Sequence, residues 1–208
     1  MMMRLFRLIF FVGLILGTSG SFGKKPDQIR IGICTDVHLN LMHDSELRLG
    51  TFINAMNKEK PDFIIELGDF VTLDKKYAAY LDTWNLFQGD KYHVIGNHET
   101  DGGFTKSQVL ESRGMSLSYY SFDKNGFHFI VLDGNDKKSP DAKPYYRFIG
   151  PVQLDWLRSD LAGTNHPVVL FSHQELFALD GEDGGSVENY KRFRKSLNHI
   201  TLIILRNA

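Results

Sequence analysis

The chain alternates between short apolar runs and amphipathic stretches from about residue 29 onward. The apolar runs are rich in β-branched and aromatic residues, which favour strands because they fit a pleated, buried surface. The predicted strands are Ile29–Thr35, Phe63–Leu67, Tyr92–Ile95, Ser118–Phe122, Phe127–Leu132, Val168–Phe171 and Thr201–Leu205. Between the fourth and fifth of them, Asn125-Gly126 accepts the positive φ of a tight turn and predicts an antiparallel hairpin.

Between these runs, apolar residues recur at the spacing of an amphipathic α-helix. The predicted helices carry the stripes Leu49, Phe52, Ile53 and Met56, then Leu154, Leu157 and Leu161, and, more weakly, Tyr190, Phe193, Arg194 and Leu197. Pro61 ends the first helix, and Pro151 begins the second because its fixed φ suits a first helical turn. Strands that alternate with helices predict an α/β fold in which helices cover a sheet.

The N-terminal residues have the composition of a secretory leader. Arg4 and Arg7 form a basic start, and an uncharged apolar run over Leu8–Gly17 is followed by small residues that a signal peptidase accepts. The run is too short to cross a hydrocarbon core of about 30 Å comfortably. We therefore predict a cleaved signal peptide over residues 1–22, no stable membrane span and a secreted or periplasmic protein. An uncleaved N-terminal anchor is the alternative.

Composition narrows the class of protein. The 208 residues include 24 basic and 25 acidic side chains, a formal charge of −1 that excludes a strongly basic nucleic-acid binder. With 42% hydrophobic and 24% charged residues the chain is typical of a globular protein, and its length suits one domain. A single cysteine excludes an intramolecular disulfide and a thiolate metal cluster. Any metal ion is therefore expected on oxygen or imidazole ligands.

Side chains that can bind metals follow four of the predicted strands. They are Asp36 and His38 after the first strand, Asp69 after the second, Asn97, His98 and Glu99 after the third, and His173 after the sixth. Each alone is more typical of a turn, a cap or a structural histidine. Ligands of α/β folds gather beyond the carboxyl ends of strands, so the coincidence of all four predicts one shared site.

The chemistry of this set suits divalent manganese, iron or zinc, since carboxylate, imidazole and amide donors are present without thiolate. Two cations about 3.5–4 Å apart need a shared anionic ligand, for which Asp69 is the natural candidate. Such a pair can promote an in-line displacement at phosphorus. His98 could then protonate the departing alkoxide or stabilise charge on phosphorus. Two interpretations of Glu99 stay open, as a residue that orients His98 or as a solvated loop acid.

In their order, these motifs resemble the calcineurin-like metallophosphoesterase superfamily, whose pattern is D-x-H, G-D, G-N-H-(D/E), a single His and then G-H-x-H. The first four occur here as Asp36-Val37-His38, Gly68-Asp69, Gly96-Asn97-His98-Glu99 and His173. Residues 150–157, G-P-V-Q-L-D-W-L, are also similar to a helix of secreted members. The resemblance covers Ile29 to about Leu197 and implies a four-layer α/β/β/α sandwich, with the family's domain over residues 28–208.

The resemblance also implies roles for the individual residues. By it, Asp36 and His38 bind the first metal, Asp69 bridges, Asn97 and His173 bind the second, and His98 assists the leaving group. The implied activity is hydrolysis of phosphomonoesters or phosphodiesters by attack of a hydroxide held at a dinuclear metal centre. The expected partner is a small phosphate-ester substrate, and no nucleic-acid polymer is expected.

Two motifs depart from the family's pattern. Phe70-Val71-Thr72 follows Gly68-Asp69, so the tyrosine ligand of purple acid phosphatases is missing. No G-H-x-H follows His173, and the later His199 lies in L-N-H-I, so each metal would keep three protein ligands. We interpret the chain as C-terminally truncated or mis-ended, with Thr201–Ala208 replacing the proper continuation. The alternative function is an inactive or weakly metal-binding remnant that acts, if at all, as an interaction domain.

Several further polar residues are expected to be structural. His93 and His128 fall inside predicted strands, where packing or a hydrogen bond is the default role. Asp133 begins a loop and is expected to cap or turn it. Tyr145 and Tyr146 lie in a loop that could rim a substrate cleft, although partial burial is an equal expectation.

Overall fold

The computed structural model describes residues 28–38, 41–73, 78–141, 145–177, 186–197 and 202–205. The predicted signal peptide at residues 1–22, and His199 with its neighbours, lie outside these ranges. Within them, every helix is too short or too polar to cross a lipid bilayer.

In the described residues, seven strands form two sheets. In the first sheet, β1 (Ile31–Cys34), β2 (Phe63–Glu66) and β3 (Asp90–His93) lie side by side in parallel. The second sheet has the order β4-β5-β6-β7. Its strands are β4 (Tyr120–Lys124), β5 (Phe127–Leu132), β6 (Val168–Ser172) and β7 (Leu202–Leu205). β4 and β5 are antiparallel, as the Asn125-Gly126 turn predicts, and the remaining pairs are parallel.

Five α-helices accompany the sheets in the described residues. Their bounds are α1 Ser45–Glu59, α2 Ala78–Asn85, α3 Lys106–Ser112, α4 Pro151–Ala162 and α5 Tyr190–Ser196. α1 buries Leu49, Ile53 and Met56 as its stripe predicts, and it ends at Lys60 directly before Pro61. Pro151 occupies the first turn of α4, as expected from its sequence position.

Three apolar cores show how these elements are layered. The central core joins the two sheets, where the rings of Phe63 and Phe129 meet edge to face at 5.1 Å. A second core packs α1 and α2 on the first sheet around the fully buried Trp84. A third packs α4 and α5 on the second sheet, with Leu157 and Phe193 at its centre. The order is therefore α/β/β/α, which confirms the predicted fold class.

Some element boundaries differ from the predictions. β3 covers Asp90–His93 rather than Tyr92–Ile95, because Asp90 pairs with Phe63 across the ladder despite its polarity. Helices α2 and α3 were not predicted, since both are short and lack a long apolar stripe. α3 nevertheless begins with a capping box, in which Thr105 and Gln108 each bond to the other's backbone N–H.

Candidate metal centre

The loops after β1, β2, β3 and β6 meet at one end of the two sheets. They bring one ligand atom each from Asp36, Asp69 and His173 to within 4.8 Å of one another. The four strands run parallel within their own sheets, and parallel strands end at the same sheet edge. Residues from distant parts of the chain therefore form one cluster. We call Asp36, His38, Asp69, Asn97, His98 and His173 the Asp69 cluster.

Asp69 lies at the middle of this cluster and is nearly fully buried. Its Oδ2 atom faces three imidazoles, with Nε2 of His173 at 3.3 Å, of His38 at 3.7 Å and of His98 at 3.9 Å. Two of these distances exceed the usual length of a hydrogen bond. Its Oδ1 atom accepts a hydrogen bond from the backbone N–H of His98 at 2.9 Å. One carboxylate oxygen is thus fixed, while the other faces a gap bordered by imidazoles.

The backbone around Asp69 is folded tightly to make this arrangement. Asp36, His38 and Asp69 all have left-handed conformations, with φ of 49°, 44° and 55°. The N–H of Asp36 donates to the carbonyl of Gly68 at 3.1 Å, and that of His38 donates to the carbonyl of Asp69 at 3.0 Å. These bonds hold the β1 loop against the β2 loop, so the two motifs D-x-H and G-D form one unit.

Two glycines allow the β2 and β3 loops to approach each other. A Cβ on Gly68, which has φ of +98°, would lie 2.7 Å from the backbone N of Gly96. A Cβ on Gly96 would lie 2.2 Å from Asp69 Oδ1. Both distances are far shorter than normal contacts, so any side chain would force the loops apart. The glycines of the G-D and G-N-H motifs are therefore needed for spacing.

His173 is oriented by a backbone carbonyl. Its Nδ1 lies 2.9 Å from the carbonyl oxygen of Leu67, which leaves Nε2 facing Asp69 and, at 3.2 Å, the amide oxygen of Asn97. Burial disfavours the charged ring, but the hydrogen bond and charge of Asp69 outweigh burial and raise the pKa of His173 to about 9. The pKa of Asp69 is lowered overall. Burial raises it, but the hydrogen bonds and charges of His173 and His98 lower it by a larger amount.

His98 is held by a residue that the sequence analysis did not identify. Its Nδ1 lies 2.7 Å from Oδ2 of Asp101, three residues along the chain. Its ring contacts those of His38 and Tyr145, with centroids 5.4 Å and 4.8 Å away. The carboxylate on this ring is therefore Asp101, and the interpretation that Glu99 orients His98 is corrected. The sequence signal that could have identified Asp101 was the spacing His-x-x-Asp after a predicted strand.

Glu99 instead belongs to a buried ion network beneath the cluster. Arg113 donates from Nη1 to Glu66 at 2.9 Å and from Nη2 to Glu99 at 3.1 Å, and all three side chains are almost completely buried. Glu66 accepts the N–H of Gly68, and Glu99 accepts the N–H of Phe70. The backbone N–H groups of Gly68 and Phe70, the residues on either side of Asp69 in the chain, are thus held by buried carboxylates. The alternative of Glu99 as a solvated loop acid is wrong.

Burial in this network changes the pKa of Glu99. Burial raises the pKa of Glu99 to about 7, with the positive charge of Arg113 opposing the shift and the negative charge of Glu66 adding to it.

Glu66 was a detectable signal in the sequence, because it is a single charged residue inside the apolar run Phe63–Leu67. Its partner Arg113 is 47 residues away in the chain, and spacing gives no hint of it.

A second polar network fixes the loop that carries Asn97. Asn135 donates to the carbonyls of Ile95 and Gly96 at 3.0 and 3.1 Å, and Gln174 donates to Asn135 at 2.7 Å. The residues flanking Asn97 and His173 are therefore tied together. Asp133 accepts the N–H of Asn135, which confirms its predicted turn role, and it also binds Lys106 at 2.5 Å.

The donor set of the Asp69 cluster fits divalent cations. His38 Nε2 lies 3.6 Å from Asp36 Oδ1, and His173 Nε2 lies 3.2 Å from the amide oxygen of Asn97. His38 Nε2 and His98 Nε2 face Asp69 Oδ2 at 3.7 and 3.9 Å, beyond hydrogen-bond distance, and donors of these types suit divalent manganese, iron or zinc. A cation there would bring positive charge next to the buried carboxylate of Asp69.

The calcineurin-like phosphoesterase family model matches residues 29–205 of this chain. Among solved structures, a dimetal phosphatase from Danio rerio is similar with a TM-score of 0.67 and 18% identity, over 80% of this chain and 76% of that chain. A purple acid phosphatase from yellow lupin (Lupinus luteus) gives a TM-score of 0.47 and 16% identity, over 71% of this chain and 30% of that chain. No curated protein matches significantly. At this identity, the likeness to the Danio rerio enzyme shows a shared fold.

Proposed function

The chain belongs to the calcineurin-like phosphoesterase family, and from this premise we propose that it hydrolyses small phosphomonoesters or phosphodiesters at the Asp69 cluster. Membership of the family makes it a metal-dependent phosphate-ester hydrolase. The observation that carries the proposal is the convergence of Asp36, Asp69 and His173, whose ligand atoms lie within 4.8 Å of one another. These three residues follow different strands, and one site for cations explains why they meet.

We assign two divalent cations to the cluster, and their identity as manganese, iron or zinc stays open. Asp36 and His38 would hold the first, Asn97 and His173 the second, and Asp69 would be shared. When bound, such cations activate water as a nucleophile and offset negative charge on the phosphoryl oxygens. The donor types match this assignment, because the pair Asp36 and His38 and the pair Asn97 and His173 each offer one imidazole and one oxygen donor.

The protein's own part in the reaction begins with fixed orientation. The N–H of His98 holds Oδ1 of Asp69, and the carbonyl of Leu67 holds Nδ1 of His173. The ligand atoms Oδ2 and Nε2 are thereby directed at the same space before substrate arrives. Such preorganisation lowers the reorganisation needed when charge develops in the transition state.

His98 is the residue assigned to the leaving group. Its Nε2 lies 3.9 Å from Asp69 Oδ2, at the border of the cluster, and its side chain is one-third exposed. A group at this place can reach an ester oxygen of a bound phosphate. We propose that it donates a proton to the departing oxygen or stabilises charge on phosphorus, in agreement with its motif position.

The proposal is tested by metal content and turnover measured together. Elemental analysis of the purified protein should find about two transition-metal ions per chain. Manganese should stimulate hydrolysis of p-nitrophenyl phosphate or bis-p-nitrophenyl phosphate. Asp69→Asn should reduce both metal content and turnover, whereas Asp155→Asn, an exposed acid on α4 paired with Arg158, should change neither. A protein that hydrolyses neither ester would contradict the proposal.

A second candidate function is a remnant that binds metal weakly and serves as an interaction domain. It is considered because the Asp69 cluster offers three protein ligands to each cation, which are Asp36, His38 and Asp69 for the first and Asp69, Asn97 and His173 for the second. The same elemental analysis separates the two candidates, since a remnant would retain no metal after dialysis. Three ligands with open water positions are nonetheless sufficient in some catalytic zinc sites.

We also propose that the protein is secreted or periplasmic. The support is the basic start, apolar run and small residues within positions 1–22. N-terminal sequencing of the mature protein should find a first residue close to position 23. A mature protein that retains Met1 would contradict cleavage.

A further inference from the structure

The ring of His98 is contacted on two sides by residues outside the family motifs. Asp101 follows the 3₁₀ turn His98–Thr100, and its N–H donates to the carbonyl of His98 at 3.1 Å. This short turn brings the Asp101 carboxylate back to the ring, where Oδ2 lies 2.7 Å from Nδ1. The contact is thus built into the local chain path.

Tyr145 reaches the same carboxylate from a distant loop. Its hydroxyl donates to Asp101 Oδ1 at 3.0 Å, across 44 residues of sequence. Its ring lies 4.8 Å from the ring of His98 at an angle of 47°. The two oxygens of Asp101 are therefore divided between His98 and Tyr145. Tyr145 keeps this position although it is 51% exposed and has a left-handed φ of 64°.

We propose that Asp101 and Tyr145 are positioning residues that direct Nε2 of His98 at the leaving-group oxygen. With Nδ1 bound to Asp101, Nε2 is the ring nitrogen that faces Asp69. The Tyr145 ring limits rotation of the imidazole, and its hydroxyl limits rotation of the Asp101 carboxylate. This inference rests on the proposed function, in which His98 acts on the leaving group.

The inference requires that Asp101 acts through His98 alone, which a double-mutant cycle measures. Asp101→Asn should lower kcat about 10–100-fold, a part of the 10²–10⁴-fold that a positioned acid contributes. In a His98→Ala background, the same substitution should cause no further loss. Tyr145→Phe keeps the ring and removes one hydrogen bond, so roughly a two- to tenfold loss is expected. Tyr119→Phe, whose ring packs against Trp156 of α4 at 4.9 Å, serves as the control without effect.

The choice of substrate adds a second readout. p-Nitrophenol is an acidic leaving group that needs little help from a proton donor, whereas the alkoxide released from glycerol 2-phosphate needs it. The losses for Asp101→Asn and Tyr145→Phe should therefore be larger with glycerol 2-phosphate. Equal losses on both esters, or an undiminished loss in the His98→Ala background, would overturn the inference and leave the proposed function standing.

A third readout does not depend on activity. Proton–nitrogen NMR spectra of the histidine rings in metal-free protein should place a proton on Nδ1 of His98, and this signal should change in both variants. A His98 ring without a proton on Nδ1 would overturn the inference. If the parent protein hydrolyses neither ester while the NMR signal is as expected, the proposed function fails but the contact with Asp101 stands.

Discussion

Two histidine–carboxylate clusters in this protein use the same residue types and differ in geometry. In the Asp69 cluster, three Nε2 atoms face one carboxylate oxygen at 3.3–3.9 Å. In the second, which we call the His128 cluster (Ser121, Asp123, His128 and Asp160), both ring nitrogens of His128 lie within hydrogen-bond distance of carboxylates. The distances are 2.6 Å to Asp123 and 2.8 Å to Asp160. In the first cluster two of the three separations exceed hydrogen-bond length, whereas both separations in the second are those of hydrogen bonds.

The difference separates a candidate binding site from a structural contact. His128 joins β5 to β4 and to α4, and the hydroxyl of Ser121 adds a bond to Asp160 at 2.6 Å. Every polar atom of its ring is used, which confirms the structural role expected for a histidine inside a strand. Residue type alone would not distinguish the clusters, whereas the separation of donor atoms does.

The strongest test of this comparison replaces one histidine in each cluster. His173→Ala removes a proposed cation ligand, so we expect at least about a 100-fold loss of manganese-stimulated turnover. His128→Ala should leave turnover within about twofold and lower the free energy of unfolding by about 1–3 kcal/mol, since the largely buried Asp160 loses a hydrogen bond. Turnover assays and urea unfolding measure these effects. The comparison would be broken if both substitutions reduced turnover equally.

The next largest effect is expected from the ion network beneath the Asp69 cluster. Arg113→Met removes the positive charge between Glu66 and Glu99, which are completely buried. Breaking a buried pair in this way costs about 3–5 kcal/mol in the free energy of unfolding. Urea unfolding at neutral pH should show this loss. Exposed Arg158→Met, which removes a surface ion pair on α4, is the control and should cost less than about 1 kcal/mol.

A smaller effect is expected from the spacing of the loops. Gly96→Ala places a Cβ 2.2 Å from Asp69 Oδ1, so it should destabilise the protein by about 1–3 kcal/mol and weaken manganese binding. Gly50→Ala is the matched control, because it lies in α1 with no atom within 4 Å of the added Cβ. That substitution should stabilise by about 0.5–1 kcal/mol. Thermal unfolding and manganese titration measure both.

The smallest expected effect is the pH dependence contributed by His128. Burial disfavours its charged form, but hydrogen bonds to Asp160 and Asp123 outweigh burial and raise its pKa. Its contribution to stability should be complete below about pH 6.5, the ordinary pKa of histidine, and should be lost as the pH rises through the raised value. The difference in unfolding free energy between the parent and His128→Gln measures it. A difference independent of pH would contradict this assignment.

The sequence allowed most of the fold to be predicted, because apolar periodicity is a local property. The stripe of α1 and the apolar runs of β2, β5 and β6 identify helices and strands whose apolar residues are buried in the three cores. Helix α3 was missed although the Thr105–Gln108 capping box was visible in the sequence. β3 was displaced by two residues, since strand pairing with β2 overrides the polarity of Asp90 and Lys91.

The candidate site was only partly predictable. The motifs identified the Asp69 cluster because each motif is a few residues long and follows a strand. They did not identify Arg113, and Tyr145 was expected only as part of a loop that could rim a cleft. The partners of these two residues lie 47 and 44 residues away and meet them through tertiary structure alone. Asp101 could have been identified from the local sequence, because it follows His98 by three residues. Aspartate is common in loops, however, so its presence there was not a specific signal.

The left-handed backbone at Asp36, His38 and Asp69 implies a trade-off between stability and activity. Each such residue costs roughly 1 kcal/mol relative to glycine, which adopts this conformation freely. Asp36→Gly should therefore make the protein more stable while removing a residue assigned to a cation. Selection for thermal stability alone would therefore favour glycine at these positions. Selection for cation binding would favour the aspartates and the histidine that are present.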